Sequence, residues 1–197
     1  AALDATGTLS GAIRSDKGLV GDFSGLRALV PPTVKMVNMS SRAQGGTGAD
    51  TLISGFVLDG SGKRTVLIRG IGPTLAQFGV PGAMVNPRIR LYHEGELVAE
   101  NDDWARNDSS DAVAAASARV GAFSLPATSA DSALLATLPA GAYTLHVEGG
   151  AGTALAEVYD ASGVVESSLS NLSIRARVSS SGDLLIGGFV IDGTGAQ

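Results

Sequence analysis

The residues able to do chemistry are few. Two histidines, His93 and His146, could move a proton near neutral pH, and neither stands in a metal-ligand spacing such as His-Glu-x-x-His. No Gly-x-Ser-x-Gly elbow occurs to present a nucleophilic serine. The stretch DGSGKR, residues 59–64, invites comparison with a phosphate-binding loop. Val57 stands where that motif needs its first glycine, however, and Arg64 replaces the hydroxyl residue after the lysine. Asn101-Asp102-Asp103 forms an oxygen-rich turn of the kind that can hold Ca²⁺, with Asp102 and Asp103 as the candidate metal ligands. The same side chains also cap turns by bonding their own backbone. Arg42, Arg69 and Arg175, together with Lys63 and Arg64, read as a solvated sheet face or edge protection. Trp104, the sole tryptophan, reads as a plug in a small core. No catalytic or cofactor-binding constellation emerges, and the expectation is a protein that is not an enzyme.

Composition narrows the setting for these residues. The chain has 197 residues, 27 glycines, no cysteine and a formal net charge of −5. With 14 Lys and Arg in all, it lacks the basic footprint that nucleic acid requires. Without cysteine there is neither a disulfide nor a thiolate metal site, so rigidity must come from packing and backbone pairing. No run approaches the roughly 20 apolar residues of a membrane span. The start at Ala1-Ala2 without methionine is read as the mark of a cleaved signal, and hence of secretion.

Short apolar stretches alternate with Gly, Asn, Asp and Pro punctuation, which predicts an all-β fold, an antiparallel β-sandwich of jelly-roll or immunoglobulin type. Strands are expected at 6–14, 34–43, 51–58, 64–71, 88–93, 97–100, 132–138, 142–148, 154–159, 172–178 and 184–191. Asp59-Gly60-Ser61-Gly62, His93-Glu94-Gly95-Glu96 and Asp192-Gly193-Thr194-Gly195 are expected to reverse the chain. A helical turn is expected over 73–78 and a capped helix after Asp108-Ser109-Ser110-Asp111.

The most specific signal is an internal repeat. Residues 38–62 recur at an offset of 133, from Asn38 to Asn171. The identical pairs include Ser40/Ser173, Arg42/Arg175, Leu52/Leu185, Gly55/Gly188, Phe56/Phe189 and Asp59/Asp192. This period exceeds the roughly 20 to 50 residues of a solenoid unit, so the repeating object is of domain size. The organisation read from it is an N-terminal extension (1–33), a sandwich module (34–165) and a C-terminal half-repeat (166–197).

The first copy runs on into TVLIRGIG, expected as the return strand of a hairpin, whereas the strand at 184–191 has no such partner and leaves an open edge. The N-terminal segment DATGTLSGAIR, residues 4–14, matches neither copy and suits insertion beside a strand edge of a neighbouring molecule. The expected subunit contact therefore joins Thr8, Leu9, Ser10, Gly11, Ala12 and Ile13 to Leu185, Ile186, Gly188, Phe189, Val190 and Ile191. Donor and acceptor at opposite ends give head-to-tail contacts, and such contacts build a filament when they do not close.

Residues 36–80, with their echo at 170–197, resemble a repeat found in tandem in large secreted proteins of environmental bacteria, read as Asn-Leu-Ser-x-Arg, then Leu-Ile-x-Gly-Phe-Val. The echo carries Ser180-Ser181-Gly182 in place of that repeat's Gly-Thr-Gly loop. Residues 88–160, through RIRLYHEGELVAENDDW and SALLATLPAGAYTLHVEG, are similar to bacterial pre-peptidase C-terminal domains, jelly-roll-like modules appended to secreted hydrolases. The first resemblance implies an extracellular, modular protein. The second implies a module of a family in which some members bind calcium or insoluble polymers, with Asn101–Asp103 at the matching turn. The reading that results is a self-assembling subunit of an extracellular filament or surface fibre. The alternative is a Ca²⁺-dependent adhesion or polysaccharide-binding module of a larger secreted protein.

Overall fold

A computed structural model describes residues 2–3, 8–15, 18–26, 34–106, 109–162, 167–179 and 183–193, with the backbone alone for those before 27 and for 167–168. The chain forms two compact units, one of residues 1–33 with 193–197, the other Val34–Asp192. Residues 166–192 thus belong to the same unit as the module that precedes them.

In the smaller unit, β1 (Ala2–Leu3), β2 (Thr8–Ser15) and β3 (Gly18–Leu26) form an antiparallel sheet in the order β1-β2-β3. β2 is bonded to β3 along its length and to β1 at Leu9 and Ser10. The donor-like segment is therefore not a lone strand, and the hairpin partner that pairs it, β3, was absent from the expected elements.

The larger unit contains β4 (Lys35–Gly45), β5 (Leu52–Ile71), β6 (Arg88–His93), β7 (Glu96–Asp102), α1 (Ser110–Arg119), β8 (Ser132–Glu148), β9 (Gly152–Asp160), β10 (Ser167–Arg175) and β11 (Ile186–Asp192). The all-β class holds. One sheet runs β10-β4-β9-β5-β8-β6-β7, and β10 also pairs with β5, so β4, β9, β5 and β10 close into a small barrel-like circuit. β11 adds to the remaining edge of β4.

One expected reversal does not occur. Asp59–Gly62 lies inside β5, which pairs with the same partner, β8, before and after it: Leu58 faces Gly141, and Lys63 faces Pro139. Gly60 and Gly62 have φ of 99° and 87°. Left-handed glycines serve a bulge as readily as a tight turn, and here they bend a long ribbon without ending it. Residues 64–71 are a continuation of the strand, not its return. The turn at Glu94-Gly95 does reverse the chain, with φ of 51° and 87° at its two central residues, the geometry of a type I′ hairpin.

Both faces of the second half of β5 are buried, which accounts for its unbroken apolar run. Val66 and Ile68 join Phe56, Leu52, Met39, Ile89 and Leu145 in the main core. Leu67 and Ile71 face a second cluster with Leu75, Trp104, Val113 and Leu125, roofed by α1. Asp131, fully buried, accepts hydrogen bonds from the Gly72 amide at 2.7 Å and from the Thr74 hydroxyl, and so fixes the 3-10 turn Pro73–Phe78 beneath that roof.

Arg64 and Arg69 are not solvated. Their side chains are 1% and 0% exposed. Arg64 pairs with Asp160, which also meets Lys35 at 3.4 Å. Arg69 meets Glu157 at 3.0 Å, donates to the Phe123 carbonyl at 2.6 Å and lies 4.2 Å above the Phe123 ring. The segment after α1 covers the Arg69 face of β5, Arg64 lies on the opposite face with Val66 and Ile68, and a carboxylate on β9 neutralises each cation. Burial, with Glu157 beside it, drives the Tyr159 hydroxyl well above its ordinary pKa.

Candidate assembly surface

The two copies of the repeat fold alike, each as strand, loop, strand: β4 and β5 in the first, β10 and β11 in the second. Among the described residues the two strands of a copy are not bonded to each other. They exchange partners instead, β11 with β4 and β10 with β5.

The registers match except at a bulge, where Val57 faces Ser170 but Val190 faces Asn38 and not Val37. Ile186 faces Arg42 as Ile53 faces Arg175, Gly188 faces Ser40 as Gly55 faces Ser173, and Asp192 faces Lys35 as Asp59 faces Ser168. Each pair maps on its counterpart through the same 133-residue offset. The single bridge between β4 and β10 joins Met36 to Leu169, which that offset maps onto itself. The two copies are therefore related by a local pseudo-twofold at this bridge. Glycine at 55 and 188 admits the serine opposite: a side-chain carbon at Gly188 would come 3.0 Å from the Ser40 hydroxyl, and one at Gly55 would collide with that of Ser173.

The symmetry breaks at the outer edges. β5 has β10 on one side and residues 141–147 of β8 on the other, and the β4 edge over residues 38–45 is covered by β9. Among the described residues β11 is paired on the β4 side alone, and β10 past Leu169 on the β5 side alone. Phe56 is 1% exposed, faces Tyr143 across the ladder and stacks on it with ring centroids 5.4 Å apart. Phe189, its repeat equivalent, is 59% exposed.

Leu185, just ahead of β11, and Ile186, Val190 and Ile191 are exposed with it. Alternation places Gly187, Phe189 and Ile191 on one face. That face looks toward β10, since a carbon added at Gly187 would lie 2.9 Å from Ile174 Cδ1. Ile174 and Leu172 themselves pack on the main core, so Phe189 stands at an open rim of that core. On the other face, Ile186 and Gly188 border a cavity of about 300 Å³ with Phe78, Phe123 and Leu75.

The remaining candidates are dispersed. Asp102 ends β7 opposite Arg88, and Asp103 meets Arg106 at 3.2 Å. Asn101 accepts the Ala133 amide at 2.9 Å, a backbone-capping role. Among the described residues no three acidic or histidine side chains gather around a common point. His93 contacts the Ala142 carbonyl at 3.0 Å and stacks on Tyr143, while His146 packs on Tyr92. Thr8–Ile13 lies in β2, and the turn residues Thr194 and Gly195 fall outside the described residues.

Searches of protein-family models, curated proteins and solved structures found no match. Among the described residues no helix is long and apolar enough to cross a membrane.

Proposed function

We propose that this protein is a structural subunit of an extracellular filament or surface fibre, assembled head-to-tail by β-strand complementation. The C-terminal copy of the repeat is the acceptor, and the N-terminal unit of a neighbouring chain supplies the strand. The observation that carries this reading is the contrast between Phe56 and Phe189: one sequence, core in one copy and rim in the other. Edge strands that must stay unpaired are usually short, twisted or charged. β11 reads IGGFVID, with six uncharged residues before its single aspartate. An added strand would satisfy the outward amides and carbonyls and bury Phe189 and Ile191, each burial adding about 1.5 to 3 kcal/mol. Placement outside the cell follows from the resemblance of the repeat to those of secreted bacterial proteins. The role is mechanical and asks for no catalytic group.

Electron microscopy and sedimentation velocity test the proposal. The chain is expected to form linear assemblies that grow with concentration, and Phe189→Glu is expected to leave folded monomers. A wild-type chain that stays monomeric at high concentration would overturn it.

A further inference from the structure

We infer that the strand completing the C-terminal copy is β3 of a second copy of this chain, laid antiparallel on β11 with Phe23 opposite Phe189. This rests on the head-to-tail reading and goes beyond it by naming the strand and its register. The first copy supplies the template. There the edge equivalent to the open one is closed by an antiparallel strand that sets Tyr143 against Phe56, Gly141 against Leu58 and Thr144 against Gly55. β8 reads Gly141-Ala142-Tyr143-Thr144 at this point, and β3 reads Gly21-Asp22-Phe23-Ser24. The glycine, the aromatic residue and the hydroxyl residue stand at the same spacing. β2 offers Thr8 to Ile13, with no aromatic residue.

Pairing points the same way. β2 is bonded to β3 on one edge and to β1 on the other, whereas among the described residues β3 is bonded to β2 alone. Among the described residues no strand is bonded to its second edge along Gly18–Leu26. β8 cannot serve as donor from a second copy, because its Leu145 and Val147 are core residues of its own chain.

The chain lacks cysteine, so single introduced thiols report the register without background. One tagged population carries Asp22→Cys and a second carries Val190→Cys. They are co-assembled under reducing conditions, then oxidised. Directly opposed residues lie within disulfide reach, and a displacement of four residues does not, so the 22/190 pair should trap at least about tenfold more mixed dimer than 22/186 made with Ile186→Cys. Ser24→Cys with Gly188→Cys is the second in-register pair, used if either variant of the first fails to assemble. Stronger trapping of Val190→Cys by Ala12→Cys would assign the donor to β2 and overturn the inference while leaving head-to-tail assembly intact. Assemblies that form with no trapping at either in-register pair would do the same. A chain carrying both Asp22→Cys and Val190→Cys that closes on itself, with no interchain product, would overturn the second-copy assignment. Failure of the parent chain to assemble would instead remove the reading beneath it.

Discussion

Residues 52–58 and 185–191 are nearly the same heptad in two settings. In the first, the alternating apolar residues are core; in the second, Phe189, Leu185 and Ile191 are 59%, 42% and 53% exposed. The inner edge cannot be the cause, because both strands take a partner from the other copy in the same register. The difference lies in β8, which closes the outer edge of β5. Burial here is a property of the neighbour, not of the strand, since a nearly identical heptad without a β8 beside it stays exposed. The copies also differ in anchoring. Lys35 faces Asp192 on β4 and meets the buried Asp160, whereas its equivalent, Ser168, has no charge to offer.

The largest effect should come from truncating the two phenylalanines. Phe56→Ala is expected to lower the unfolding free energy by about 3 to 5 kcal/mol, while Phe189→Ala in the dilute subunit should change it by less than about 0.5 kcal/mol. Urea titration of both variants measures this, and equal losses would erase the contrast between the copies. Next comes the ion cluster peculiar to the first copy. Asp160→Ala leaves Arg64 buried without its carboxylate and should cost about 3 to 5 kcal/mol, whereas Lys35→Ala, at a partly exposed site, should cost about 1 kcal/mol or less.

How much of this was legible in the residues depends on the range of the interaction. Strand positions follow from local alternation, and most appear where alternation puts them. The sense of Asp59–Gly62 does not, because a tight turn and a bulge draw on the same left-handed glycines and only the distant partner, β8, decides between them. The burial of Arg64 and Arg69 was hidden for a related reason: each cation is matched by a carboxylate on β9, about 90 positions away in the chain. The repeat itself was plain, yet the exchange of strands between its copies could not be read, since identical registers within and between copies leave the same sequence trace. The unpaired edge at Phe189, among the described residues, was visible from the repeat; the pairing of β2 with β3 was not.

Two smaller effects sharpen the comparison. Gly55→Ala should destabilise the subunit by about 1 kcal/mol, because the new carbon meets the Ser173 hydroxyl; adding Ser173→Gly should recover most of that loss in the double variant. Gly188→Ala, with more room before Ser40, should cost less. The smallest effect is titration on β8. Burial holds His146 below its ordinary value of 6.5 despite the opposing pull of Glu148. A depressed histidine pKa means that the unfolded chain binds the proton first, so this contribution is complete above pH 6.5 and fades as the pH falls toward the folded value. His146→Gln should flatten the decline in melting temperature across that window.

Amide hydrogen exchange on dilute and on assembled protein, read strand by strand, tests the central claim most directly. The account predicts that β5 is protected in both samples, and that the outward amides of β11 exchange freely in the dilute subunit and become protected on assembly. Protection of β11 in the dilute monomer equal to that of β5 would show the edge already closed, and would contradict the claim.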